Sequence, residues 1–204
     1  MQIYAQSLGK YFGEKRVFQY ISFELNDGES LAITGPNGSG KTTLIRILCG
    51  LLRTSEGILA YYDKDKKIEW RDLYHQIGLV GPYLELYEEM TARENLNFFA
   101  RIRNLNKSGQ WTNELMSRFL LAGRENDVVK EYSSGMLQRL KYVFALMGRP
   151  KILFLDEPTS NLDQQGIDAV YEIMAEQKQN GLLVIATNDP ADLKYGDTCI
   201  EINA

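Results

Sequence analysis

The sequence has one histidine, His75, and two cysteines, Cys49 and Cys199. With a single imidazole, neither a histidine-based metal site nor a Ser-His-Asp triad is expected. Cys49 sits in the apolar run 45–52 and Cys199 lies between Thr198 and Ile200. Both read as small packed hydrophobes of a reducing compartment, not as a disulfide or a metal pair. No apolar run approaches the roughly 20 residues that a membrane-spanning helix needs. The opening Met1-Gln2-Ile3-Tyr4-Ala5-Gln6 lacks the basic, apolar, small-residue order of a signal peptide, so a cytoplasmic chain is expected. A basic excess is missing too: 23 Lys and Arg stand against 27 Asp and Glu, a net charge of −4. No nucleic-acid partner is expected from such a balance, and any anion must be held by a local site instead of a global field. Internal repeats, low-complexity tracts and Pro/Ser-rich linkers are also lacking.

What is present fits one well-packed domain with at most a subdomain: 204 residues, 44% hydrophobic and 25% charged. Residues 1–34 read as strands, with partial alternation over 17–25, a turn at Asn26-Asp27-Gly28, and Leu31-Ala32-Ile33-Thr34 running into a glycine loop. Residues 41–52 carry Leu44, Ile45, Leu48, Leu51 and Leu52 at helical spacing, with Gly50 inside or just past the end. Another strand is expected over 57–62, followed by a charged turn. Helical periods dominate 91–148. Short continuous apolar runs at 151–155 and 182–186 flank a helical stretch at 167–174. Alternating strands and helices with continuous apolar strands predict an α/β domain whose parallel sheet is covered on both faces, interrupted by a helical insert.

The segment Gly35-Pro36-Asn37-Gly38-Ser39-Gly40-Lys41-Thr42 follows a predicted strand and opens a predicted helix, the context that identifies a P-loop. Glycine at 35, 38 and 40 allows backbone angles that turn amide N–H groups inward as a nest for phosphate oxygens. The helix that follows adds its free N-terminal amides and positive dipole end. Lys41 supplies a cation for the β and γ phosphates of a nucleoside triphosphate, the Thr42 hydroxyl can ligate Mg²⁺, and Thr43 is available for a further phosphate contact. The strand Ile152-Leu153-Phe154-Leu155 ends in Asp156-Glu157. At the C-terminal edge of a parallel sheet, Asp156 is placed to hold Mg²⁺ through water and Glu157 to take a proton from an attacking water.

Two further segments carry a family resemblance over essentially the whole length. Tyr132-Ser133-Ser134-Gly135-Met136-Leu137-Gln138-Arg139 resembles the signature motif of ABC (ATP-binding cassette) proteins, and Asp156-Glu157-Pro158-Thr159-Ser160-Asn161-Leu162-Asp163 is similar to their Walker B and D-loop. The resemblance implies a P-loop NTPase core with a mostly parallel central sheet, N-terminal antiparallel strands, and a helical subdomain at about 83–148 within one nucleotide-binding domain, 1–204. It implies a head-to-tail dimer with two ATP molecules at the interface, where Ser133 and Gly135 of one copy bind the γ-phosphate on the other copy's P-loop. Asp163 belongs to the same composite site. From the residues alone, Ser133 or Ser134 caps a helical run, a ready anion site. Phe12 occupies the place of the family's adenine-stacking aromatic; its neighbour Tyr11 is a substitute, and either fits a plain core role.

Two positions depart from the pattern. The usual Q-loop glutamine falls on Pro82, which has no side-chain oxygen for a metal or its water. The switch histidine is replaced by Asn188, which can donate a hydrogen bond to the γ-phosphate but cannot share a proton at neutral pH. Glu157 is therefore the expected base. The resemblance further implies a separate membrane permease, with the chain peripheral on the inner face of the membrane. The apolar loop 82–90 (Tyr83, Leu84, Leu86, Tyr87, Met90) fits either a permease-docking surface or packing of the helical insert. Within the family the Ser-Ser-Gly-Met signature resembles ABC-2 type exporters, and the short length and Asp163-Gln164-Gln165-Gly166 resemble haem-exporter ATPases of cytochrome c maturation. The alternatives are a soluble ABC ATPase not coupled to transport and a slowly hydrolysing nucleotide-gated module.

Overall fold

The computed structural model describes residues 1–105 and 109–203. Three positions of the expected helical subdomain, 106–108, and the last residue of the expected domain therefore lie outside the described residues. The elements in chain order are β1 (Gln2–Phe12), β2 (Lys15–Asn26), β3 (Ser30–Thr34), α1 (Lys41–Leu48), β4 (Glu56–Asp63), β5 (Lys66–Lys67), α2 (Trp70–Leu73), β6 (Ile77–Val80), α3 (Ala92–Ile102), α4 (Gly109–Arg118), α5 (Ser134–Leu146), β7 (Ile152–Asp156), α6 (Gln164–Asn180), β8 (Leu182–Ala186), α7 (Pro190–Leu193) and β9 (Thr198–Glu201). Single 3-10 turns occupy Tyr74–Gln76 and Val129–Glu131.

Five strands form a parallel sheet in the order β6-β7-β8-β3-β9, and β2-β1-β4-β5 form an antiparallel sheet. The parallel strands have apolar side chains on both faces because each face feeds a different core. Ile152, Phe154, Leu182, Val184 and Ala186 join α1 and the inner face of the antiparallel sheet (Ile3, Leu8, Leu25, Tyr61). Leu153, Leu155, Leu183 and Ile185 join Leu140 and Val143 of α5, Val170, Ile173 and Met174 of α6, and Leu115 of α4. Each such aliphatic chain, fully buried, is worth about 1.5–3 kcal/mol. This two-sided burial is why the strands read as unbroken apolar runs and not as alternation.

Local signals mark the element ends. Helix α1 stops at Leu48, short of the expected 52, because Gly50 adopts φ 74° just beyond it. Helix α3 starts at a capping box in which Thr91 accepts from the Glu94 amide and Glu94 accepts from the Thr91 amide, at 3.1 and 2.8 Å. Helix α6 runs beyond the expected 167–174 at both ends and is capped by the Asp163 carboxylate. Register aligns Asp156 with Ala186 and Ala186 with Ile33, so β3, β7 and β8 end together at one sheet edge. The loops leaving that edge and the start of α1 carry Gly35 to Thr42, Glu157 and Asn188, residues singled out from the sequence.

Candidate active site

The loop between β3 and α1 is bent by glycines with positive φ: 142° at Gly35, 83° at Gly38 and 112° at Gly40. Two of them have no room for a side chain. A Cβ on Gly35 would collide with the Ile202 carbonyl and lie 2.8 Å from Ser39 Oγ; on Gly40 it would lie 2.5 Å from Val17 Cγ1. Lys41 is buried, and its ammonium donates to the Gly35 carbonyl at 2.7 Å, folding the cation back over the loop. Ser39 Oγ is buried with no hydrogen-bond partner.

Asn37, Gly38, Gly40, Lys41, Thr42 and Thr43 line a cleft of about 630 Å³ together with Glu157 and Phe12. Phe12 is exposed and its ring faces the Lys10 ammonium at 4.8 Å. Tyr11 does not line the cleft; its hydroxyl donates to Gln19 at 3.5 Å. The structure thus selects Phe12 as the aromatic of the cleft. It also adds Lys15, Arg16 and Val17, which sequence reasoning missed. The signal available for them was the Lys-Arg pair directly after the turn at Gly13.

Asp156 and Glu157 stand where β7 ends. Asp156 is 1% exposed, and neither of its oxygens makes a hydrogen bond of good geometry. Burial raises its carboxyl above the ordinary range, only partly offset by the Thr42 hydroxyl and the Lys41 and Arg46 charges. An orphaned buried carboxylate beside a threonine hydroxyl is a hard-oxygen donor set that fits Mg²⁺. Among the described residues no cluster of three or more His, Cys, Asp or Glu could hold a metal. Phosphate oxygens and water would have to complete the shell, as Mg²⁺ at nucleotide sites requires. Glu157 has φ 53°, a strained value for a non-glycine residue, held by its amide's bond to the Ala186 carbonyl at 2.8 Å. Its carboxyl is raised chiefly by burial, opposed by Lys41 and reinforced by Asp156, Asp192 and Asp189.

Asn188 follows β8 and reaches the phosphate loop. Its Oδ1 accepts from Thr34 Oγ1 and the Gly35 amide, both at 3.3 Å, and its Nδ2 donates to Asn37 Oδ1 at 3.4 Å. At Pro82 the backbone leaves β6; the next side chain, Tyr83, packs against Gly81 under the Arg46 guanidinium, 4.2 Å from its ring. The Tyr83 hydroxyl is buried without a partner, and burial together with Cys49 and Asp156 pushes it up.

The remaining expected residues are elsewhere. Ser133 caps α5, accepting from the Met136 amide at 3.2 Å, and is exposed. Ser133, Gly135 and Asp163 do not line the phosphate cleft. Asp163 accepts from the Gly166 amide at 2.9 Å and pairs with Arg139 of α5, so it ties the start of α6 to the signature helix. In the loop 82–90 the apolar residues divide: Leu86 is buried, Tyr83 half-buried and Tyr87 exposed.

A phosphate nest at a helix N-terminus, an orphaned metal-type carboxylate and a second raised carboxyl at one sheet edge define a P-loop nucleotide-binding domain. The family described as ABC transporter matches residues 18–160. The uncharacterized ABC transporter ATP-binding protein YdbJ of Bacillus subtilis is 38% identical over 81% of this chain and 53% of its own length. The cytochrome c biogenesis ATP-binding export protein CcmA of Vibrio parahaemolyticus is 34% identical over 85% of both chains. The solved ATP-binding subunit of an ABC transporter superposes with TM-score 0.90 at 26% identity, over 100% of this chain and 86% of that one. A dimeric cassette, MJ0796 bound to ADP and Pi, shares the fold with TM-score 0.86 at 23% identity, over 98% and 94%. The chain belongs to the ABC transporter family. It spans little more than half the length of YdbJ and of several other curated relatives.

Proposed function

We propose that this chain binds MgATP and hydrolyses it as the ATP-binding subunit of an ABC exporter, as one cassette, with 83–148 as its helical subdomain. The observation that carries the reading is convergence at one sheet edge. The phosphate loop, the orphaned Asp156, the strained Glu157 and the loop-bound Asn188 all stand there. Thr42 and Asp156 would hold a Mg²⁺ ion, which would supply neutralisation of the phosphate charge. Phe12 stacks the base, while Lys41 and the amides of Gly38, Gly40 and their neighbours hold the phosphates. Glu157 accepts a proton from the attacking water. The new bond forms from water oxygen to γ-phosphorus as the bond to the β–γ bridging oxygen breaks, giving ADP and phosphate. The raised carboxyl of Glu157 suits a base working near neutral pH. Asn188 Nδ2 donates to the γ-phosphate but carries no proton away.

The site is half complete in one chain, because Ser133 and Gly135 lie outside the cleft. A second cassette, head to tail, supplies them, and the pair closes on ATP. Tyr87 and Phe98, half and more than one-third exposed beside Phe99, support docking on a separate membrane permease, with the chain peripheral on the inner face of the membrane in this reading. Among the described residues no helix is long and apolar enough to cross a membrane. The Asn188 side chain favours a second reading, a slowly hydrolysing nucleotide-gated module. Phosphate release by wild type and Glu157→Gln, with size-exclusion chromatography in ATP, tests the proposal. Wild type should turn over, the variant should lose at least about 100-fold while still binding ATP, and it should elute as a dimer. Equal turnover well above background in the two proteins sinks the reading; turnover near background in both, with ATP-dependent dimers, selects the gated module.

A further inference from the structure

A buried acid outside the phosphate cleft connects the two loops that carry Glu157 and Asn188. Asp192 lies in α7 and is 1% exposed. Three hydroxyls hold it: its Oδ2 accepts from Thr187 Oγ1 at 2.9 Å and from Thr159 Oγ1 at 3.2 Å, and its Oδ1 from Tyr171 Oη at 3.1 Å. Each donor leads to a different part of the molecule. Thr187 immediately precedes Asn188, and its Oγ1 also accepts from the Asp189 amide at 3.0 Å, closing that turn. Thr159 is two residues beyond Glu157, in a loop further fixed by the Tyr142 hydroxyl on the Pro158 carbonyl at 2.7 Å. Tyr171 belongs to α6 and stacks on Tyr195 at 5.0 Å, which anchors the acid to a packed helix.

A carboxylate that deep inside a protein is costly unless its acceptor positions are filled, so the three hydroxyls and the acid hold one another in place. The same loop keeps Glu157 at φ 53°, a conformation that persists only where the surroundings over-determine it. One constraint is the Glu157 amide on the Ala186 carbonyl; the Thr159–Asp192 bond supplies another two residues later. Asp192 is also close enough that its charge raises the Glu157 carboxyl. None of Asp192, Thr159, Thr187 and Tyr171 lines the cleft, so the acid acts without touching nucleotide.

We propose that Asp192 is a positioning residue whose carboxylate clamps the Glu157 loop to the Asn188 loop and sets the spacing between proton acceptor and phosphate-facing amide. The role rests on the function proposed above. A misplacement of about 1 Å at a reacting group costs on the order of 100-fold in rate, so loosening the clamp should act on turnover and spare binding. Steady-state hydrolysis and the affinity for a fluorescent ATP analogue are compared in wild type, Asp192→Ala and Asp192→Asn. Asp192→Ala should lower kcat about 10–100-fold with analogue affinity within about threefold, and Asp192→Asn, which retains one acceptor oxygen, should recover part of the loss. A kcat within about twofold of wild type, or parallel losses of kcat and affinity, overturns the proposal.

Where Asp192→Ala does not fold, Thr159→Val and Thr187→Val each cut one side of the clamp at nearly constant shape. Cutting either side separates the loops, so the double variant should be no slower than the slower single. Multiplying losses overturn the clamp. Amide hydrogen exchange reads the same connection without catalysis: in each of these variants, residues 157–161 and 187–189 should exchange faster together, with α1, 41–48, unchanged. Acceleration in one segment alone, or in neither, refutes it. A wild-type chain that hydrolyses no ATP sinks the function reading, while exchange still decides the clamp.

Discussion

Asp156 lets stability and function be driven in opposite directions by one substitution. Its carboxylate is buried without a hydrogen-bond partner, and its carboxyl sits above the ordinary value of 3.8 because burial outweighs Thr42, Lys41 and Arg46. The folded chain therefore holds that proton more tightly than the unfolded chain. Stability is lost as pH rises from the unfolded value through the raised folded one, and the penalty is complete above it. Asp156→Asn removes the charge at constant shape. An unsatisfied buried polar group costs about 1–3 kcal/mol, and a charged one more, so the neutral amide retains only part of the cost. The variant should be more stable than wild type by about 1–2 kcal/mol, or roughly 2–8 °C in Tm for a chain of this size. Thermal unfolding in EDTA without nucleotide at about pH 7 reads the difference, and the gain should vanish near pH 3, where the wild-type carboxyl is protonated. Millimolar MgATP should reverse the order, since ligand at 100 times its Kd adds about 2.7 kcal/mol to the protein that binds it. A variant less stable than wild type in EDTA at neutral pH, or a gain that persists near pH 3, would refute the reasoning.

Three further outcomes are expected. The raised carboxyl of Glu157 in the nucleotide-free chain places the acid limb of kcat/KM above the ordinary glutamate value of 4.5, with activity falling as pH drops through it; a limb at or below that value in a pH–rate profile removes Glu157 as base. Gly40→Ala forces a side chain onto φ 112° and against Val17, and should cost about 1–3 kcal/mol in denaturant unfolding with at least a tenfold loss of ATP affinity; wild-type affinity would show that the loop relaxes freely. Asn188→Ala removes the amide that faces the phosphate loop and should lose turnover well beyond any loss of ATP affinity; unchanged turnover would remove Asn188 from the chemistry.

Much of this was legible in the residues because the decisive groups are local. Glycine at 35 and 40, lysine at 41 and threonine at 42 make a phosphate nest through backbone angles and a helix start that involve only neighbouring residues. The apolar runs ending in Asp156 and Ala186 announced buried parallel strands, since only a sheet covered on both faces leaves such runs unbroken. Strands β6 and β9 are too short to carry a periodic signal, and pairing with β7 and β3 alone identifies them. Strand periodicity could not choose between Phe12 and Tyr11, because adjacent strand residues point to opposite sides and chain order does not say which side holds the cleft; the family resemblance pointed to Phe12, which lines it.

The sequence by itself determined the α/β class, the phosphate loop, the acid pair and the two departures at Pro82 and Asn188. The first three are a matter of residue type at fixed spacing, and the departures stand out only against the family pattern that the chain resembles. Only the tertiary structure decided that Asn188 lies against Gly35, 153 residues away in sequence. The same holds for Asp163, which turns to the signature helix, and for Asp192, which joins the loops of Glu157 and Asn188. Such contacts arise where β3, β7 and β8 end together, and that alignment is a property of sheet register, which no single segment contains.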